Sequence, residues 1–237
     1  MTGVGNGLNA DRANWTFGGE VAQHFDDHVS KSVPLYNEGH QLVCELSDFF
    51  IKPDSTCYEI GCSTGALTLK LAAHNSIKPE ARFVGVDIEP GMIEFARAQN
   101  QGDSRVSFVV DDIVQMELAP ADLIVAYYTV QFIRPSERQR LIDKLYQSLR
   151  WGGGLLLFEK VRGADGRFQD IPARRYDDYK LSRGFSPDEI VSKARSLKGV
   201  LEPFSTQGNV DLLRRAGFTD IMTIMKYICF EGFVAIK

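Results

Sequence analysis

Residues 58–65 read Tyr58-Glu59-Ile60-Gly61-Cys62-Ser63-Thr64-Gly65, and residues 85–88 read Gly85-Val86-Asp87-Ile88. The first stretch is the pattern of a buried strand, a glycine turn and a helix start. The second is a strand that ends on an acid. Gly61 and Gly65 permit a sharp backbone turn and let a ligand lie against the main chain. Asp87, at a strand tip, is placed to accept hydrogen bonds from two ribose hydroxyls. Together they predict a nucleoside-binding site on a doubly wound sheet.

Strands and helices alternate outward from this point. Strands are expected at residues 56–60, 82–86, 106–110, 123–126 and 154–159, and helices at 66–73, 90–99 and 135–149. Such alternation predicts an α/β fold with a mostly parallel sheet covered on both faces. A helix over 210–216, closed by Gly217, precedes two runs, 221–227 and 230–236, that read as an antiparallel pair. Before the first strand the pattern is helical from Trp15 to about Phe50, broken at Pro34. Residues 1–12 are polar and Gly-rich, which predicts a mobile end. Residues 163–204 interrupt the alternation. They are polar, rich in Arg, Asp and Tyr, and read as an inserted helical lid with a helix over 186–194. The expected organisation is one domain over 1–237, with 1–50 as a helical cap.

Composition narrows the class. The chain has 237 residues, 44% hydrophobic and 24% charged, and a net charge of -4. That balance is ordinary for a soluble globule and gives no basic face for nucleic acid. A local cluster of Arg174, Arg175, Lys180 and Arg183 is the exception. Cys44, Cys57, Cys62 and Cys229 form no C-x-x-C pair, which predicts buried thiols in a reducing compartment. The first ten residues lack the apolar core of a signal peptide. No apolar run approaches the roughly 20 residues of a membrane span. The expectation is a cytoplasmic protein that handles a small molecule away from the membrane. His24 and His28 stand one helical turn apart, but without the pattern of a metal site, so no metal is expected.

The order of elements, with an antiparallel pair after the last helix, resembles the Rossmann-like class I S-adenosylmethionine (SAM)-dependent methyltransferase fold of seven strands. Glu59-x-Gly61-x-Ser63-x-Gly65 matches that family's acid-Gly-x-Gly-x-Gly loop, with Ser63 at the middle glycine. Asp87 matches the ribose acid and Asp112 the acid that meets the adenine amino group. A closer resemblance runs through nearly the whole chain. Trp15-Thr16-Phe17, Ser32-Val33-Pro34-x-Tyr36, Gly61-Cys62-Ser63, Gln131-Phe132-x-x-Pro135-Ser136-Glu137-Arg138 and Glu159-Lys160 are similar to the carboxy-SAM synthases. Those enzymes decarboxylate prephenate and place the carboxyl group on the SAM methyl carbon. The resemblance implies SAM contacts at Tyr36, Gly61, Cys62, Ser63, Asp87 with Ile88, Asp112 and Ile113, with Glu59 and Gly65 shaping the loop. It also implies a possible homodimer through the helical insertion.

Two positions depart from that family. Tyr127 stands where the family has an asparagine facing the cofactor, and Ala194 where it has the arginine that binds the added carboxylate, although Arg195 is adjacent. Losing a bidentate carboxylate clamp is not conservative. Some relatives in this methyltransferase group instead cyclise SAM, giving azetidine-2-carboxylate and 5′-methylthioadenosine. The aromatics Tyr36, Tyr127, Tyr128, Tyr176 and Tyr179 suit a sulfonium, and no obvious general base stands beside them. The leading expectation is therefore cyclisation, with Tyr176 and Tyr127 cradling the sulfonium. The alternatives are a small-molecule methyltransferase, a carboxy-SAM synthase that uses Arg195, and a SAM-binding protein without catalysis.

Overall fold

The computed structural model describes residues 2–5, 8–10 and 21–237. Among them, β1 (Thr2–Gly5) and β2 (Leu8–Ala10) pair antiparallel and pack against a distant helix, α7 (Pro187–Ser196). These paired strands lie within the stretch expected to be a mobile end, and the polar composition gave no sign of them. Trp15-Thr16-Phe17 lies outside the described residues. Two helices follow, α1 (Val21–Ser32) and α2 (Tyr36–Ser47), separated at Pro34.

The main sheet contains β3 (Thr56–Ile60), β4 (Arg82–Asp87), β5 (Val106–Val110), β6 (Ala121–Tyr127), β7 (Leu149–Lys160), β8 (Asp220–Tyr227) and β9 (Phe230–Ile236). Their spatial order is β5-β4-β3-β6-β7-β9-β8, and β9 runs antiparallel to both neighbours. Helices α3 (Ala66–His74), α4 (Pro90–Gln99), α5 (Pro135–Ser148) and α8 (Thr206–Ala216) cover its faces. Alternation along β7 shows why both faces are covered. Leu156 and Phe158 join a core with α2, α3 and α4, while Leu155 and Leu157 join a second core with α5 and α8.

Two elements differ from the sequence expectation. Residues 166–182 form one helix, α6 (Gly166–Ser182), which carries Pro172 within it. Asp165 starts α6 by accepting a hydrogen bond from the Phe168 amide. Proline and polar composition masked this helix in the sequence. Helix α8 begins four residues earlier than expected, where Ser205 caps the Gly208 amide. By contrast α7 has the anticipated start: Ser186 and Glu189 form a reciprocal capping box.

β3 lies between β4 and β6, with which it pairs in parallel. The chain leaves β3 toward one side and β6 toward the other, so a crevice opens beyond their carboxyl ends. The turn after β3 is tied to the neighbouring strand. Gly61 and Cys62 amides donate to the Val86 carbonyl at 2.7 and 3.0 Å. Gly65, at φ 75°, begins α3, and a Cβ there would lie 2.6 Å from the Phe108 ring and 2.8 Å from Ala96. Gly65→Ala is expected to destabilise the fold by about 1–3 kcal/mol, read as a lower urea midpoint. An unchanged midpoint would contradict this packing role.

Candidate active site

The crevice is a cavity of about 980 Å³, within the ~300–1,000 Å³ of small-molecule sites. Tyr36, Glu59, Gly61, Cys62, Ser63, Asp87, Ile88, Asp112, Ile113, Tyr127 and Tyr176 all line it. Gly65 does not: its place is under the loop, against Phe108.

At one end the walls are strand-end acids and the backbone of turns. Asp87 Oδ2 accepts from the Ser63 amide at 2.8 Å, and Oδ1 from the Glu89 amide at 3.0 Å. These bonds fix the carboxylate across two turns, and each oxygen can still accept a further hydrogen bond. Burial raises the Asp87 pKa, and the amides of Glu89, Ser63 and Ile88 oppose the rise. Asp112 accepts from the Val114 amide at 2.9 Å, and Lys144 on α5 donates to the carbonyls of Val114 and Met116. That cation holds the loop around Ile113 in shape.

Strained backbone concentrates around the cavity. Leu35, Ser63 and Tyr128 adopt φ of 56°, 50° and 61°. Ser63 and Tyr128 line it, and Leu35 precedes Tyr36, which also lines it. Such conformations persist only where surroundings impose them. A buried network does so beneath Tyr128. The Gln131 amide group donates to the Tyr128 carbonyl at 3.1 Å and accepts from the Lys160 amide at 2.9 Å. Arg138 reaches the Gln131 and Ile133 carbonyls, while Glu159 accepts from the Val130 amide at 3.0 Å. The Gln131–Arg138 and Glu159-Lys160 motifs thus shape the cavity floor.

The other end is aromatic and cationic. Tyr127 packs on Tyr36, His40, Tyr128 and Phe158, and its hydroxyl donates to the Tyr36 carbonyl at 2.7 Å. Tyr176 packs edge-on against Phe230, and its hydroxyl donates to the Ser32 carbonyl at 2.8 Å. The Lys160 and Lys180 ammoniums lie 4.6 and 4.4 Å from the Tyr176 ring centre. Lys193 also lines the cavity and meets His28. His28 is buried and on the wall, whereas His24 is exposed. Ala194 lines the cavity; Arg195 is exposed and is not among the lining residues.

No obvious general base was expected beside the tyrosines, yet two groups with strongly shifted pKa values line the same cavity. Glu59 is buried on the cavity wall, bonded to the Thr68 hydroxyl, and burial pushes its pKa up to about 8. Burial, then Lys180 and Lys160, brings Lys193 down to about 7. The sequence reading passed over Lys160, Lys180, Lys193, Tyr128's orientation and Phe230 as cavity residues. Lys160 was signalled by the Glu159-Lys160 motif and Lys180 by the basic cluster around residues 174–183, whereas Lys193 lay unmarked within the insertion.

Comparison with known proteins agrees with this architecture. A methyltransferase domain model matches residues 58–153. The carboxy-S-adenosyl-L-methionine synthase of Staphylococcus epidermidis is 35% identical over 97% of this chain and 100% of its own. That of Wolinella succinogenes is 37% identical over 95% of each. The chain belongs to the carboxy-S-adenosyl-L-methionine synthase family.

Within that family it has the α/β Rossmann-like fold of class I methyltransferases. An O-methyltransferase family protein from Burkholderia thailandensis superimposes with a TM-score of 0.64 at 15% identity, over 92% of this chain and 59% of that one. Human N-acetylserotonin methyltransferase, solved in complex with SAM, gives a TM-score of 0.54 at 16% identity, over 95% and 63%. These likenesses concern the fold. Among the described residues no helix is long and apolar enough to cross a membrane.

Glu59 makes a pH prediction. Its folded pKa of about 8 lies above its ordinary value of 4.5, so the folded chain holds a proton that the unfolded chain releases. Its contribution to stability is therefore full below pH 4.5 and is lost as pH rises to about 8. Melting curves of the ligand-free protein should show stability falling across this window, and Glu59→Gln should flatten part of the fall. An identical pH slope in the variant would contradict the assignment.

Proposed function

We propose that this SAM-dependent enzyme acts on SAM alone, cyclising it to azetidine-2-carboxylate and 5′-methylthioadenosine. The observation that carries the reading is the make-up of the inner cavity. Aromatic rings and three lysine ammoniums line it, with Ala194 on the wall and Arg195 outside. In this reading Asp87 and Asp112 hold ribose and adenine, and Gly61, Cys62, Ser63, Ile88 and Ile113 frame them. Glu59 positions the loop, and α6 and α7 act as the lid.

The chemistry follows from the surroundings. Burial and like charges both disfavour a protonated amine, so the α-amine of SAM is pushed toward its neutral, nucleophilic form. Lys193 records the strength of that environment, since its own ammonium is brought down to about 7. The amine lone pair forms a bond to the γ-carbon as the carbon–sulfur bond breaks. The departing pair returns to sulfur, which becomes a neutral thioether, and the nitrogen becomes a secondary ammonium. Atoms and charge balance without a co-reactant. The enzyme's task is then to hold nitrogen in line with the departing sulfur, which is a positioning task. Tyr36, Tyr127 and Tyr176 supply aromatic faces, worth about 1–2 kcal/mol to a desolvated cation.

The names of the relatives favour a second reading, carboxy-SAM formation. The lysines also suit a second, acidic substrate, the prephenate that the resembling enzymes use. Methyl transfer to an unidentified acceptor is the remaining alternative.

Mass spectrometry of the purified protein with SAM alone separates these. Cyclisation requires equal amounts of methylthioadenosine and azetidine-2-carboxylate, unaffected by Arg195→Ala. A SAM-plus-carboxyl product that needs prephenate, with no methylthioadenosine, would overturn it. Tyr176→Leu should slow the reaction about tenfold, the equivalent of ~1.4 kcal/mol of lost cation stabilisation. An unchanged rate would remove Tyr176 from the account.

A further inference from the structure

We infer that Lys160, Lys180 and Lys193 form a carboxylate-binding pole in the cavity, opposite the acids that face the nucleoside. The inference rests on reading the cavity as the SAM site and adds the partner of its inner end. The three lysines come from different elements, the end of β7, α6 and α7. Lys160 and Lys180 approach the same tyrosine ring, Tyr176. Lys193 reaches the Ser32 hydroxyl at 3.3 Å, and Ser32 also takes the Tyr176 hydroxyl on its carbonyl. Two ammoniums therefore meet on the Tyr176 ring, and the third lies beside Ser32, the residue that holds the Tyr176 hydroxyl.

Like charges gathered out of solvent repel one another, and burial adds to the cost. Lys160 and Lys193 both show this, each lowered by burial and by Lys180. Asp177 pairs with Lys180 at 3.0 Å. Asp87, Glu89, Asp111 and Asp112, in contrast, belong to the strand ends and turns at the other side of the cavity. The lysines thus gather at the lid end, apart from the strand-end acids, beside which Arg140 also lines the cavity.

A second observation points to a ligand atom at the same end. The Tyr128 hydroxyl is buried and has no hydrogen-bond partner among the described residues. Its ring packs edge-on against Phe230, which packs in turn on Tyr176. A phenol donor without an acceptor is costly unless a ligand oxygen completes it. A carboxylate is the anion that fits, because it accepts from several donors at once and leaves the aromatic surroundings room for an apolar stem. The carboxylate is either that of the SAM amino acid or that of a separate acid.

Titration calorimetry of the full-length protein distinguishes these sources. The probes are S-adenosylhomocysteine, its decarboxylated counterpart S-adenosyl-3-thiopropylamine, methylthioadenosine and malonate. None of them carries the sulfonium, so the reaction does not consume them. If the pole holds the amino-acid carboxylate, S-adenosylhomocysteine should bind about tenfold more tightly than the decarboxylated compound, the ~1.4 kcal/mol of a charge-assisted pair. That preference should vanish in Lys160→Met and Lys193→Met and return in Lys160→Arg, with methylthioadenosine binding unchanged throughout. If the pole serves a separate acid, malonate should bind the methylthioadenosine-saturated protein and fail to bind the Met variants. Equal binding of the two adenosyl compounds to the wild-type protein, with no malonate binding, would overturn the inference. Loss of methylthioadenosine binding alone would instead count against the nucleoside site.

Discussion

The attachment of the turn after β3 to the end of β4 is the constraint on which the site depends. Two amides, of Gly61 and Cys62, share the Val86 carbonyl, and the next amide, of Ser63, bonds Asp87. These bonds hold a left-handed turn against a neighbouring strand and aim the Asp87 carboxylate at the crevice. The rest of the site follows from that anchor. α3 can start at Gly65 because the turn has already reversed the chain. Thr129 closes the other side by donating to the Ile60 carbonyl at 2.9 Å. A Cβ on Gly61 would lie 2.4 Å from that hydroxyl oxygen, so the close approach requires glycine.

Electrostatics then divides the cavity. Parallel strands end in acids at one side, while β7 and the inserted helices bring lysines to the other. The division suits a ligand that carries hydroxyls and an amino heterocycle at one end and charged amino-acid groups at the other. It also gives the insertion a physical purpose. α6 contributes Tyr176 and Lys180, and α7 contributes Lys193 and Ala194, so these two helices set the charges at the inner end of the cavity.

The sheet was legible in the sequence because buried parallel strands are apolar runs bounded by glycine, proline and acids. Tyr58 to Gly65 and Gly85 to Asp87 carried that pattern, and helices over 90–99 and 135–148 began at prolines. The acidic end of the cavity was legible for the same reason, since it is made of strand tips and turns. The inner end was not. Lys180 and Lys193 sit in a polar segment where a cation ordinarily faces solvent, and only the fold turns them inward. α6 was hidden by Pro172 and its polar composition. The hairpin of β1 and β2 was hidden because its support is α7, far along the chain. Arg195 illustrates the opposite case. A one-residue shift in alignment decides between it and Ala194, and the helix settles which of the two faces the cavity.

Cyclisation requires a nucleoside fixed at one end of the cavity and an amino-acid tail bent back toward its own γ-carbon at the other. A crystal structure with S-adenosylhomocysteine would show whether the cavity imposes that shape. The expected result is ribose hydroxyls on Asp87, adenine beside Asp112, and the tail folded beneath Tyr176. The α-nitrogen should then lie about 3–3.5 Å from the γ-carbon, opposite the sulfur. An extended tail, with its nitrogen turned away from that carbon, would contradict cyclisation and return the inner cavity to a second substrate.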